Sequence, residues 1–273
     1  MTAIAVAGLR YALATHGSGE PLVLIHGFTG SAATWGGHVP AFAREFETIA
    51  VDLPGHGLTP PPREPARGSV ERIADDLAHI LDQLGRAPAH VVAYSLGARV
   101  ALRLAVAHPG TIRRLVLESP SAGIADPIER KARQVSDDAL ADRIERNGVA
   151  AFVTEWERSP VIASMSALPA QQAAVLRNIR LANTAEGLAS SLRGAGQGRM
   201  EPLQDRLGTV TAPTLVLAGA LDPTGTTRAE EVAAGIPGAR LVVLPDAGHA
   251  PHLERPTEFR SLALDFLKED RAA

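Results

Sequence analysis

The sequence of 273 residues contains no cysteine, and this absence excludes disulfide bonds and thiolate metal sites. Lysine is almost as scarce, because it occurs only at Lys131 and Lys268, so arginine supplies nearly all of the basic charge. The formal net charge is -3, which is not the basic surplus that typifies proteins of nucleic acids or anionic membranes. We therefore expect neither nucleic acid nor a membrane as a partner.

Long apolar runs are also missing from the sequence. No run of apolar residues is long enough to cross a bilayer, and the N-terminal stretch Met1–Val6 lacks the positive charge that opens a secretory signal. We therefore expect a cytoplasmic protein. The 45% share of hydrophobic residues suits one large α/β domain, or such a domain with an inserted cap.

The most informative stretch runs from His90 to Leu102, where an apolar run stops at Ser95 and a helix-forming run starts at once. A strand, a sharp turn and a helix with serine at the tip are typical of a nucleophile elbow, small-x-Ser-x-Gly. The crowded positions two before and two after the serine hold the small residues Ala93 and Gly97. The alternative is a serine that only caps the helix.

Alternating strands and helices around this elbow predict an α/β-hydrolase fold, with a mostly parallel, doubly wound sheet. Residues 124–203 are helical in pattern, rich in charge and without a clear strand. We therefore expect a helical cap at 124–203, inserted between two segments of the core, 1–123 and 204–273.

Three polar residues that follow predicted strands suggest a catalytic triad. A serine hydroxyl is a weak nucleophile or base unless an imidazole takes its proton, and an acid must hold that imidazole in one tautomer. The chain order Ser95, Asp222, His249 is the order of the α/β-hydrolases.

No His/Asp cluster has metal-ligand spacing and no glycine motif fits a phosphate loop, so we expect neither metal nor cofactor.

Alternatives to these assignments are His252 as the base and Glu118 or Asp246 as the acid, with Asp222 then serving only as a helix cap. An oxyanion hole is expected from two backbone amides. One belongs to Leu96, at the start of the helix after the elbow, and the other to Phe28, in a His-Gly-aromatic turn after a buried strand.

Arginines are the candidates for binding a substrate. Arg99 lies one helical turn beyond Ser95 and could present a cation at the site, although a solvated charge is the alternative. In the cap, Arg130 and Arg133, or Arg133 and Trp156, could line a pocket for an anion. A solvated helix face is again the alternative.

The chain resembles the succinyl-hydroxycyclohexadiene-carboxylate (SHCHC) synthases, which are α/β-hydrolase-fold lyases of menaquinone biosynthesis. The resemblance covers nearly the whole chain. It is carried by the following residues: His26–Gly30, Tyr94–Arg99, Leu117–Ser119, Glu129 and Arg130 with Arg133, Phe152–Trp156, Gly187–Gly198, Gly248–His249 and His252–Glu254.

This resemblance implies elimination of pyruvate from a cyclohexene dicarboxylate precursor. It makes Ser95 a base that removes a ring proton, with the amides of Phe28 and Leu96 on the developing enolate oxygen. It also implies that the substrate's carboxylates are positioned by these residues: Tyr94, Arg99, one arginine of the pair Arg130 and Arg133, and Trp156.

Two features depart from the family's pattern. Where the family often has a lysine just after the acid, this chain reads Pro223-Thr224-Gly225, which removes one expected anion contact. The elbow also carries Ala93 and Ala98 where glycines are common.

Two other functions remain alternatives to the lyase. One is a carboxylesterase that hydrolyses small esters through an acyl-serine intermediate, and the other is a hydrolase-fold protein that only binds its ligand.

Overall fold

A computed structural model describes residues 1–269 of the chain. Its centre is one sheet of eight strands in the order β1-β2-β4-β3-β5-β6-β7-β8. The strands are β1 (Thr2–Val6), β2 (Leu9–His16), β3 (Glu20–Ile25), β4 (Phe46–Val51), β5 (Ala89–Tyr94), β6 (Ile112–Glu118), β7 (Thr214–Gly219) and β8 (Arg240–Leu244).

Strand direction follows the prediction of a mostly parallel sheet, which is confirmed. The first hairpin, β1 and β2, is antiparallel, and β2 pairs antiparallel with β4. Every other neighbouring pair, from β4 through β3 and β5 to β8, is parallel. The carboxyl ends of these parallel strands therefore meet at one edge of the sheet.

The central strand β5 is buried along its whole length, as expected of a parallel strand covered on both faces. Successive side chains alternate between those faces. Val91 and Ala93 belong to the hydrophobic cluster on one face, and Val92 and Tyr94 to the cluster on the other.

Helices cover both faces of the sheet. They are α1 (Val39–Phe42), α2 (Val70–Gln83), α3 (Leu96–Ala107), α4 (Pro127–Trp156), α5 (Ala170–Leu181), α6 (Ala185–Ala195), α7 (Pro223–Gly235), α8 (Pro251–Glu254) and α9 (Pro256–Lys268). Helix α2 shows why these segments are helical. Its apolar positions recur at helical spacing and are buried, and the Ser69 side chain accepts a hydrogen bond from the Arg72 amide at its start.

Helices α4, α5 and α6 lie between β6 and β7 in the chain, which is the segment where we expected helices without strands. The backbone of α4 leaves helical geometry at Gly148, where φ is 79°, so α4 consists of two helical segments. Helix α6 packs closely on α4. Within residues 1–269, no helix is both long and apolar enough to cross a membrane.

Candidate active site

Ser95 stands in the turn between β5 and α3 with φ 50° and ψ -106°, a left-handed conformation that non-glycine residues rarely adopt. Gly97 makes this turn possible. A Cβ atom there would lie 2.4 Å from the carbonyl oxygen of Ile25 and 2.7 Å from that of His26. The first turn of α3 therefore packs directly against the end of β3, as the elbow pattern predicts.

Ser95, His249 and Asp222 form a connected chain of hydrogen bonds. Ser95 Oγ lies 3.0 Å from His249 Nε2, and His249 Nδ1 lies 2.7 Å from Asp222 Oδ2. An ionised carboxylate only accepts hydrogen bonds, so Nδ1 carries the proton and Nε2 is free to accept the serine proton. The three residues are thus arranged for the serine to be deprotonated.

The Asp222 carboxylate is well suited to remain ionised. Partial burial raises its pKa, but the hydrogen bonds from His249 and from the Gly225 amide, 2.9 Å from Oδ1, outweigh this effect and lower the pKa. The same Gly225 bond caps α7. Asp222 therefore both caps helix α7 and orients the imidazole ring of His249.

The loop that carries His249 is fixed on both sides. The Ser119 hydroxyl donates to the His249 carbonyl oxygen at 2.8 Å. The Glu254 carboxylate accepts from the Gly248 amide at 2.9 Å and from the Ala250 amide at 3.1 Å. These roles of Ser119 and Glu254 were not predicted from the sequence, because hydrogen bonds between distant loops leave no periodic signal.

His26 connects the turn that carries Phe28 to the turn that follows β4. The Leu53 amide donates to His26 Nε2 at 3.0 Å, so the proton is on Nδ1, which donates to the Gly27 carbonyl oxygen at 2.7 Å. Burial lowers the pKa of His26 to about 4.

The predicted oxyanion hole has two free amides. In the part of the chain that the structure describes, the amides of Phe28 and Leu96 donate no hydrogen bond, so both remain available to a substrate oxygen.

The alternative base and acids lie away from Ser95. His252 is buried, and its backbone amide and Nδ1 lie 2.8 and 2.9 Å from Glu118 Oε1, so these two alternatives engage each other. Asp246 is exposed and lies 3.6 Å from Arg255. None of the three is in contact with the serine hydroxyl.

A cavity of about 490 Å³ opens at Ser95 and His249. Its aromatic wall is formed by Phe28 and Trp156, whose rings meet edge to face with centroids 5.7 Å apart. The ring of Tyr94 also lines the cavity and lies 5.5 Å from the His249 ring. The cavity is of the size that accepts a small organic molecule.

Two of the predicted arginines line this cavity. Arg99 extends from α3 and its guanidinium donates to the Ala195 carbonyl oxygen at 2.8 Å. Burial lowers the pKa of Arg99 to about 10, and the group stays protonated at neutral pH. Arg133 extends from α4 and donates to Asp137 at 2.8 Å and to Gln197 at 3.1 Å. Asp137 is buried, and burial raises its pKa.

Arg130, which the sequence suggested as a candidate substrate-binding residue, is not among the described residues that line this cavity. Its guanidinium turns back to the start of α4 and donates to the carbonyl oxygens of Ile124 and Ala125, at 2.9 and 3.0 Å. Both bonds come from Nη1 and hold the guanidinium at the start of α4. Of the pair Arg130 and Arg133, the structure therefore places only Arg133 in the cavity wall.

Other polar residues of the cavity wall were not predicted from the sequence. Arg180 is buried and pairs with Glu157 at 3.3 Å. Arg228 extends from α7 and is half-buried. Helical spacing did not separate these arginines from solvated ones, because the fold of the intervening chain decides which of them reach the cavity.

The cavity thus combines a serine whose proton has an acceptor, two free amides and several guanidinium groups. In the described part of the chain, no group of three or more His, Asp or Glu side chains is arranged to hold a metal ion. This arrangement suits either acyl transfer or proton abstraction next to a carbonyl group.

The fold and this site define a class of enzyme. Residues 20–256 match the family described as alpha/beta hydrolase fold, and the chain belongs to that family. It is an enzyme of the α/β-hydrolase type.

Within the family, the chain is similar to SHCHC synthases. It is 36% identical to a Bacillus subtilis (strain 168) protein with the provisional name 2-succinyl-6-hydroxy-2,4-cyclohexadiene-1-carboxylate synthase, over 95% of each chain. The structure of MenH from S. aureus is 32% identical, with a TM-score of 0.90 over 96% of this chain and 98% of that one. These findings confirm the resemblance. A thermophilic esterase from Thermogutta terrifontis is also similar, at 27% identity and a TM-score of 0.85, over 98% of this chain and 97% of the esterase.

Proposed function

We propose that this enzyme is an SHCHC synthase-like lyase that eliminates pyruvate from a cyclohexene precursor in menaquinone biosynthesis. The observation that carries the proposal is Arg99, a largely buried guanidinium in the wall of the cavity that holds Ser95. Burying a charge is costly unless a partner compensates it. A substrate carboxylate is such a partner, whereas a neutral ester is not.

Ser95 acts in this proposal as a base toward carbon. The most acidic ring proton of the precursor is on the carbon that bears the succinyl group, because the neighbouring ketone accepts the electron pair. Ser95 Oγ takes this proton while its own proton passes to His249 Nε2, 3.0 Å away. The imidazolium that results is stabilised by Asp222, 2.7 Å from Nδ1.

The negative charge moves to the ketone oxygen and forms an enolate. The amides of Phe28 and Leu96 are the donors for this oxygen, since they have no other acceptor among the described residues. The enolate then reforms the ketone, a second ring double bond appears and the carbon–oxygen bond to the enolpyruvyl group breaks. The departing enolate takes up a proton to become pyruvate, and no acyl-enzyme forms.

The carboxylates of the substrate are held by the remaining wall of the cavity. Arg99 and Arg133 offer the cations, and Tyr94 and Trp156 offer ring faces and edges that limit where the cyclohexene ring lies. Positioning of this kind is worth several powers of ten in rate, because the reacting atoms no longer need to find each other.

The proposal includes the division of the chain into two units. Segments 1–123 and 204–269 form the core that carries the triad, and residues 124–203 form a helical cap that supplies Arg133 and Trp156; residues 270–273 of the predicted core lie outside the described part of the chain. The cap determines which substrates enter, and the core supplies the reactive groups.

Ester hydrolysis is the second candidate. The same bond from Ser95 to His249 suits a nucleophilic serine, and the T. terrifontis esterase is similar over nearly the whole chain. In that case Ser95 would carry an acyl group during turnover.

The test is pyruvate release from the enzymatically generated precursor, measured with lactate dehydrogenase as the coupling enzyme. Wild type should release pyruvate rapidly and Ser95→Ala should not, although both fold. No release by folded wild type would refute the lyase. A serine adduct that forms with an activated ester, seen by intact-mass spectrometry, would then favour ester hydrolysis.

A further inference from the structure

We infer that Arg228 is a third carboxylate-binding cation of the cavity and a determinant of specificity for a tricarboxylate substrate. Because it concerns the substrate of the same site, this inference rests on the proposed function. Arg228 lies on α7, less than two helical turns beyond Asp222, and its side chain is half-buried in the cavity wall.

Arg228 differs from most arginines near the cavity in having no direct partner. Among residues 1–269, its guanidinium forms no ion pair with a carboxylate and donates no hydrogen bond. The nearby charges of Asp222, Glu231 and Glu129 only partly offset its burial. A half-buried guanidinium with several unused donors at the edge of a cavity is well placed to bind an anion.

The charges of the cavity wall support an anionic ligand of more than one charge. Arg180 pairs with Glu157, a carboxylate that it shares with Arg177, and Asp222 is engaged by His249. Among the described residues of the cavity wall, Asp137 is then the remaining carboxylate. It must balance the positive charges of three guanidinium groups. These groups belong to Arg99, Arg133 and Arg228.

These three cations repel one another. Arg133 and Arg228 disfavour the charged form of Arg99, and Arg133 disfavours that of Arg228. Repulsion inside a cavity is unfavourable for the empty enzyme and is relieved when anions bind between the cations.

The proposed substrate carries a matching number of carboxylates, which is three and therefore one more than the dicarboxylate that the family resemblance implied. The product named in the relatives has one on the ring and one on the succinyl chain, and the pyruvate that leaves carries a third. Three guanidinium groups, whose positive charges are only partly balanced by carboxylates of the protein, therefore face a substrate with three carboxylates. Arg228 would be dispensable for a monocarboxylate or a neutral ester, so it selects for this substrate class.

The experiment compares Arg228→Gln and Arg228→Lys with wild type. Arg206→Gln is the matched control, since Arg206 is also a half-buried arginine but lies outside the cavity wall. For pyruvate release, Arg228→Gln should raise KM on the order of 10-fold to 100-fold, the usual effect of losing a charged hydrogen bond. The value of kcat should change far less, and Arg228→Lys should recover part of the loss.

A binding measurement separates failure of this inference from failure of the proposed function. Tricarballylate, a three-carboxylate probe, is titrated into each variant by calorimetry. Weaker binding by Arg228→Gln but not by Arg206→Gln would support Arg228 as an anion site even if wild type released no pyruvate. Equal KM and equal binding in Arg228→Gln and wild type would overturn the inference while leaving the lyase intact. Absence of both turnover and probe binding in wild type would overturn both.

Discussion

Acid should destabilise this enzyme as the pH falls below about 6.5, because three histidines are buried in neutral form. Burial is the main cause that lowers the pKa of His26 to about 4, of His38 to about 3 and of His56 to about 3. His26 and His56 flank the turn that carries Phe28, with ring centroids 5.1 Å apart. Acid sensitivity is therefore built into the edge of the active site.

The sign follows from proton linkage. An unfolded histidine titrates near pH 6.5, so below this pH the unfolded chain binds protons that the folded protein excludes. The free energy of unfolding therefore keeps its full value above pH 6.5. It decreases as the pH falls toward the pKa values of these histidines in the folded protein, which are about 4 and 3. At pH 5 each histidine costs about 2 kcal/mol, or about 6 kcal/mol together, which is comparable with the whole stability of many domains.

The assay is urea denaturation at pH 7.5 and pH 5, followed by circular dichroism. His38→Gln is the informative variant, because Gln does not titrate and its amide could replace the bond from His38 Nε2 to the His252 carbonyl oxygen, 2.8 Å long. It should lose about 2 kcal/mol less than wild type between the two pH values. His79→Gln, at an exposed position, should behave as wild type. Equal pH dependence in His38→Gln and wild type would refute the reasoning.

Three further predictions concern the site. Asp222→Asn should keep its fold but lower kcat by roughly 10³-fold to 10⁴-fold, because His249 loses its tautomer control; steady-state pyruvate release measures this, and a loss below tenfold would contradict it. Gly97→Val should fail to form the elbow, since even a Cβ would lie 2.4 Å from the Ile25 carbonyl oxygen; a melting temperature equal to that of wild type would argue against this. Arg133→Gln should raise KM about tenfold, whereas Arg130→Gln should leave KM unchanged, and equal effects in the two variants would refute the assignment of Arg133.

Much of the core could be predicted because its signals are local. The apolar run before Ser95 and the helix-forming run after it correspond to β5 and α3, and strand Phe46–Val51 has the predicted bounds. Helix α7 begins earlier than its apolar pattern indicates, at Pro223, because Asp222 caps it. The sequence offered Asp222 either as the acid or as a residue that only caps a helix, and in the structure it makes both contacts.

The remaining features depend on contacts between distant segments. Helix α6 lies within the segment predicted to be helical, but its bounds were not predicted, since its glycines and serines weaken the helical pattern. Gly194 is required there because a Cβ would lie 2.2 Å from the Pro65 carbonyl oxygen. Arg130 and Arg133 are one turn apart on α4, and only the packing of Gln197 and Asp137 beside Arg133 separates their roles. Spacing alone cannot distinguish such a pair.

The claim that Ser95 removes a proton from carbon is tested most directly by single-turnover pyruvate release from a deuterated precursor. Deuterium is placed on the ring carbon that bears the succinyl group, and wild type is mixed in excess over substrate so that product release does not limit the rate. Our account predicts severalfold slower pyruvate formation with deuterium than with hydrogen. Equal rates, together with an acyl group on Ser95 by mass spectrometry, would contradict it.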